Sequence, residues 1–246
     1  MVLDSPPLDL RTPYLNAAGS LGFVPKDGSL PAGLAAGAFI TNPISLQSRR
    51  PSQGERMLSF PGGVLLHTGL PNPGLRSSVR EYSLAWAHAE LPIILNLLVD
   101  DPIALRKVMP NIEALENIAA LELNIPADAS PQLAGELCSA AAGKLPLIAQ
   151  LSLPRAEELA HGCLAAGASA VSLGPPRGSL PTATGGLLNG RLYGAAIFPQ
   201  ALAATQALVR AGVPVIAAGG IGSEAEANAA LAAGAMAVQY DVSLWK

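Results

Sequence analysis

The pentapeptide LAAGA occurs three times, at Leu34–Ala38, Leu164–Ala168 and Leu231–Ala235, and VRAGV at Val209–Val213 is a close variant. Each reads as a helix that ends on a C′ glycine and passes at once into a strand. Repeated joints of this kind indicate βαβ units, not a solenoid period. Eight apolar runs fit strands: Pro13–Ala18, Ala38–Asn42, Pro92–Val99, Ala119–Ile125, Pro146–Ser152, Ala168–Gly174, Val213–Ala217 and Ala235–Tyr240. They alternate little, as strands covered on both faces do. Seven helices are predicted between them: Ser29–Ala36, Val79–Ala89, Pro102–Leu115, Pro131–Ala142, Arg155–Ala166, Pro199–Ala211 and Ser223–Ala233. The pattern is that of an α/β chain forming one (β/α)8 TIM barrel over residues 1–246, with the eighth helix lacking because the chain stops at Lys246. Val2–Leu10 is expected as a small hairpin closing the barrel floor.

The last βαβ unit, Val213–Asp241, carries the strongest functional signal. Gly219 and Gly220 follow a strand, let the backbone turn sharply, and aim bare N–H groups at whatever lies above the strand end. Ser223 can cap the next helix, with Glu224 and Glu226 in its first turn. In a parallel barrel this is the usual phosphate pocket. A tight βα turn that binds nothing has the same pattern.

Composition excludes several classes. Half the residues are apolar, 13% are charged and the net charge is −3. That balance argues against nucleic acid as a partner. No apolar run reaches the length of a membrane span. The N-terminus lacks the basic and apolar regions of a signal peptide. Cys138 and Cys163 both fall in helical patterns and make neither a disulfide framework nor a metal-ligand cluster, so a cytoplasmic setting is expected.

Two βα loops are long, Pro43–Ser78 and Pro175–Gly194, and both belong on the catalytic face of a barrel. Both are rich in Gly, Pro and Ser, which suggests mobility. His67 is the sole histidine on such a loop and the best candidate for a base, against the reading of an exposed loop histidine. Arg49, Arg50 and Arg56 on the same loop can bind an anionic ligand or remain solvated. Gly185, Gly186 and Gly190 read as flexible loop residues. Glu122 and Asn124 share a register at a strand end, and Glu122 needs a partner inside the barrel, either Gln150 or the amide of Asn96.

The chain resembles the dihydroorotate dehydrogenase family of FMN-binding TIM barrels, and the resemblance runs nearly end to end. NAAGSLGF at Asn16–Phe23 resembles the family's first-strand turn, and GLPNPG at Gly69–Gly74 matches its GLxNPG. PIILN at Pro92–Asn96 resembles its third strand, ELNIP at Glu122–Pro126 the start of its ElNiSCPN motif, and PLIAQLS at Pro146–Ser152 its PviVKLS run. YGAAIFPQAL at Tyr193–Leu202 resembles SGpaikPiAL, and the closing GGI and GAxAVQ match as well. The resemblance implies an oxidoreductase of pyrimidine biosynthesis. It implies FMN at Ala18, Gly19, Asn42, Asn96, Gln150, Gly194, Gly219 and Gly220, and substrate at Gly69 and Asn124.

The working residues depart from that pattern. The family places a Cys or Ser base on the loop after the fourth strand, where Asn124 and Ile125 run straight into Pro126 and Ala127; Ser130 reads as an N-cap. Two family lysines are replaced by Asn42 and Gln150, and orotate-holding asparagines by Leu66, Ala127 and Gly174 or Pro175. At the phosphate end Tyr193 and Asp241 stand for Ser and Gly, so a carboxylate faces a phosphate dianion unless Asp241 points away. Three readings stay open. The chain is a divergent member that does not oxidise dihydroorotate but holds FMN or another phosphorylated or anionic small molecule. Or it is an ordinary member with His67 as base. Or it is a non-enzymatic scaffold. A homodimer is expected, because the outer faces of the last and first strands would lie bare, with Trp245 as anchor.

Overall fold

The computed structural model describes residues 6–25, 35–241 and 244. The eight predicted runs all form parallel strands. They are β1 (Tyr14–Asn16), β2 (Phe39–Ile40), β6 (Ile93–Leu98), β7 (Ile118–Asn124), β8 (Leu147–Ser152), β9 (Ala170–Gly174), β12 (Val215–Ala218) and β13 (Ala237–Tyr240). Their order is β1-β13-β12-β9-β8-β7-β6-β2, and a short β3 (Ile44–Ser45) extends the pairing along β6. A parallel bridge between Leu15 and Ala38 closes the barrel. At this seam the side chain of Asn16 does the work of a ladder. Its Oδ1 accepts from the Ile40 N–H at 2.9 Å and its Nδ2 donates to the Ile40 carbonyl at 2.7 Å.

The interior is layered by the two-residue period of the strands. Leu15, Ile40, Ile94, Ala120, Ile148, Ile216 and Ala237 form one apolar layer, with Leu8 and Leu10 packed against it from below. Residues 6–10 therefore help close the floor and form no strand, and the first half of the expected Val2–Leu10 hairpin lies outside the described residues. Two positions further along, the strands contribute Asn96, Glu122, Gln150, Ser172 and Gln239, a polar layer beneath the catalytic face.

Among the described residues six helices cover the outside: α1 (Leu75–Ala87), α2 (Pro102–Glu113), α3 (Pro131–Ala141), α4 (Ala156–Ala165), α5 (Phe198–Arg210) and α6 (Glu224–Ala232). Ser130 caps α3 by accepting from Leu133, and Ser223 with Glu226 forms a capping box on α6. Gly167, Gly212 and Gly234 end helices in the left-handed region, as the repeated pentapeptide predicts. The first predicted helix, Ser29–Ala36, lies largely outside the described residues, as does Trp245. Among the described residues the expected bare strip is not seen. Val238 and Tyr240 on the last strand are fully buried, packed with Tyr14, Leu231 and Leu244.

The two long loops are not loose. They pair with each other as a four-stranded antiparallel sheet, β10 (Arg177–Pro181), β11 (Leu187–Tyr193), β5 (Gly63–Leu66) and β4 (Met57–Phe60), in that order. Gly190, expected as flexible, is buried in β11; a Cβ there would stand 2.4 Å from the Leu66 carbonyl. Gly185 sits at the hairpin turn with φ of 88°.

Candidate functional site

A cavity of about 870 Å³ opens at the C-terminal ends of the barrel strands. Its wall brings together seven of the predicted site residues: Ala18, Gly19, His67, Gly69, Asn124, Gln150 and Gly219. Asn42, Asn96, Gly194 and Gly220 lie outside that wall.

Below the wall, the buried carboxylate of Glu122 organises the polar layer. Its Oε1 accepts from Ser172 Oγ at 2.7 Å and Gln239 Nε2 at 2.6 Å, and its Oε2 accepts from Asn96 Nδ2 at 2.8 Å. Burial pushes its pKa above the ordinary value of 4.5, while those three donors pull it down. Of the two predicted partners only Asn96 is used, and its own Oδ1 is buried with no hydrogen bond. Gln150 instead accepts from Asn124 Nδ2 at 2.6 Å. Register explains this: Asn124 and Gln150 are neighbours on β7 and β8, whereas Glu122 pairs with Ile148. Asn42 is also engaged, accepting from the Gly22 N–H at 3.1 Å.

The glycine turn after β12 has positive φ at both residues, 106° at Gly219 and 74° at Gly220. A Cβ on Gly220 would stand 2.7 Å from the Gly194 carbonyl and the Phe198 nitrogen. Only glycine permits this approach. The Gly220 N–H donates to Asp241 Oδ2 at 3.0 Å, and Asp241 is buried. Asp241 thus points into the turn, not away from it.

The GLPNPG segment is held by Asn72. Its Oδ1 accepts from the Ser45 and Gly74 N–H groups at 3.1 and 3.0 Å, and its Nδ2 donates to the Leu70 carbonyl at 3.0 Å. Gly69 accepts from Arg49 Nε at 3.0 Å through its carbonyl. His67 is exposed, and its Nδ1 lies 2.8 Å from the Asn189 carbonyl. A carbonyl only accepts, so Nδ1 carries the proton in the neutral ring and Nε2 is left as the basic atom. Asp128, which the sequence reading passed over, stands on the wall just after the loop where the family base is missing.

The arginines on the wall are Arg49, Arg177 and Arg191; Arg50 and Arg56 are not on it. Arg177 and Arg191 are directly opposite each other on β10 and β11. Nothing local in the sequence pairs these positions, so they were not singled out. Among the described residues there is no cluster of metal-ligating side chains, and no helix is long and apolar enough to cross a membrane.

Fold and cavity define a class: a parallel α/β barrel with a cavity at the strand C-terminal face, roofed by an inserted antiparallel sheet. No protein-family model matches the chain. The dihydroorotate dehydrogenase B (NAD(+)) catalytic subunit of Pelobacter propionicus is 31% identical, the match covering 94% of this chain and 83% of that protein. The subunit of the same name from Trichlorobacter lovleyi is 31% identical over the same shares. The structure of Eimeria tenella DHODH in complex with ferulenol superposes with a TM-score of 0.70 at 14% identity, covering 95% of this chain and 76% of that one. The chain belongs to the dihydroorotate dehydrogenase family.

Proposed function

We propose that this barrel is a divergent family member that binds a small anionic molecule in its cavity and does not oxidise dihydroorotate at an ordinary enzymatic rate. The observation that carries the reading is the cavity wall after β7. There Asn124, Ile125, Pro126 and Ala127 supply no Cys or Ser, and the Asn124 amide is bound to Gln150. Removing dihydroorotate's proton needs a base within hydrogen-bond reach, and the wall offers none at the family's position. The family's cofactor, FMN, is a poor fit at the glycine turn: Asp241 already takes the Gly220 N–H, and its charge opposes a phosphate dianion. We therefore infer weak FMN binding. The test is turnover of dihydroorotate by protein supplied with FMN and an electron acceptor. A rate above about 1 per second overturns the reading.

A second reading, an FMN-dependent dehydrogenase with His67 as base, is favoured by the anchored ring that leaves Nε2 free to accept a proton. His67→Gln separates the two, since it abolishes turnover only under this second reading. A homodimer remains a proposal without the bare strip that first suggested it. Sedimentation at micromolar concentration decides, and a monomeric species refutes it.

A further inference from the structure

We propose that Arg49, Arg177 and Arg191 form the anion-binding centre of the cavity, Arg177 and Arg191 on the sheet that roofs it, and that its ligand carries a phosphoryl group. The inference deepens the proposed ligand site and rests on that reading, but not on the absence of dihydroorotate turnover.

Three observations support it. First, Arg177 and Arg191 face each other across an antiparallel pair, so both side chains leave the same face of the sheet, and all three arginines line the cavity. Like charges directly opposite in a sheet are destabilising, and a third cation adds to the cost. Second, among the described residues none forms an ion pair with them. Arg191 is pressed toward its neutral form by desolvation and then by the charges of Arg177 and Arg49; the opposing influence is the Tyr193 hydroxyl, not a carboxylate. Among the described residues the one ion pair is Arg155 with Glu158, on the outside of the barrel. Of the carboxylates on the wall, Asp101 caps α2, Asp241 holds Gly220, Asp128 acts on Arg155, and Asp100 is exposed and makes no ion pair with the three arginines. Third, the barrel's usual anion site is self-occupied, because Asp241 takes the Gly220 N–H. The positive charge of the cavity has moved from the strand ends, where Asn42 and Gln150 are neutral, to its roof.

Guanidinium groups present planar forks that match phosphate oxygens. A phosphate dianion offers acceptors for several forks and offsets two of the three charges; a monocarboxylate leaves most of the positive charge uncompensated. A ligand bound here relieves the repulsion that the empty sheet carries.

The experiment is thermal unfolding of the full chain with sodium pyrophosphate at fixed ionic strength, beside matched sodium chloride and sodium orotate. Pyrophosphate should raise the midpoint saturably, with little effect of orotate or chloride. Arg177→Gln with Arg191→Gln should weaken the apparent affinity at least about tenfold, whereas Arg50→Gln should not. Without ligand, Arg191→Gln should unfold at the same temperature as the parent or higher, because it removes repulsion. The proposal is overturned if pyrophosphate gives no saturable shift at ~10 mM, if the shift survives the double substitution, or if ligand-free Arg191→Gln is clearly destabilised. Failure of this test leaves the turnover measurement untouched, and ordinary turnover leaves this test standing.

Discussion

The carboxylate of Asp241 sits 3.0 Å from the amide of Gly220 and so occupies the donor that a βα glycine turn would otherwise offer to an anion. The geometry is that of an internal anion: a charged acceptor, buried, on a backbone N–H at the end of a strand. Burial holds the nearby Tyr193 phenol above its usual pKa of 10.0, against the pull of Arg191 and with a smaller push from the charge of Asp241.

Asp241→Gly should therefore strengthen FMN binding by about tenfold or more, since it frees a donor and removes a like charge. Titration followed by flavin fluorescence reads this directly. The same substitution should cost about 1.5–3 kcal/mol of stability, the worth of a hydrogen bond to a charged group. Unchanged affinity would show that Asp241 does not set the weakness.

Cys138 and Cys163 stand on adjacent helices, α3 and α4, both fully buried and free. A hydrogen bond between the thiols and burial push Cys138 far above the ordinary thiol value. The same hydrogen bond holds Cys163 below the ordinary thiol value, so that thiol is protected by its burial alone; a thiol reagent should label neither in the native protein within minutes and both in denaturant. Rapid labelling of a native thiol would contradict the packing.

How much of this was legible in the sequence depends on the range of the interaction. The barrel strands are short apolar runs bounded by glycine or proline, and the caps at Ser130 and Ser223 lie within four residues of what they bind. Both are local signals. The roof sheet was missed because its pairing is non-local: Leu65 meets Leu192 across more than a hundred residues of chain. Its strands also hold Gly, Ser and Pro, which carry weak strand propensity. The arginine trio inherits that blindness, since Arg177 and Arg191 become neighbours only when the sheet forms. The Glu122 partners were half legible. A two-residue period puts Asn96, Glu122 and Gln239 on the inner face, but only strand register decides that Gln150 goes to Asn124. The thiol pair could have been found, because consecutive helices in a barrel are neighbours.

Asn16 closes the barrel through a side chain where the β1–β2 ladder is too short to do so. Asn16→Ala leaves the Ile40 N–H and carbonyl unpaired inside the protein, and unpaired buried groups cost about 1–3 kcal/mol each. Urea unfolding should show a loss of about 2–5 kcal/mol. Asn16→Asp keeps the acceptor but loses the donor, and should fall between. A loss under about 0.5 kcal/mol for the alanine variant would mean the seam is held elsewhere.

The sharpest test of the polar layer is the pH dependence set by Glu122. Its folded-state pKa is raised above 4.5 by burial, while in the unfolded chain it titrates at the ordinary value. Above that ordinary value the unfolded chain has released a proton that the folded chain still holds. Stability contributed by this group is therefore complete below about pH 4.5 and falls as pH rises toward the folded-state value. Glu122→Gln removes the slope. The glutamine keeps one oxygen for Ser172 and Gln239 and puts an amide donor where Oε2 now accepts from Asn96. Asn96 can meet that donor by turning its amide, because its Oδ1 has no present hydrogen bond. Relative to the parent, Glu122→Gln should thus gain stability as pH rises from about 4 to 8, measured by urea unfolding across that range. Glu122→Ala should instead be destabilised at every pH, since three buried donors lose their acceptor. Parallel pH profiles for the parent and Glu122→Gln would show that the carboxyl is ionised in both states at the same pH, and would remove burial as the dominant influence on it.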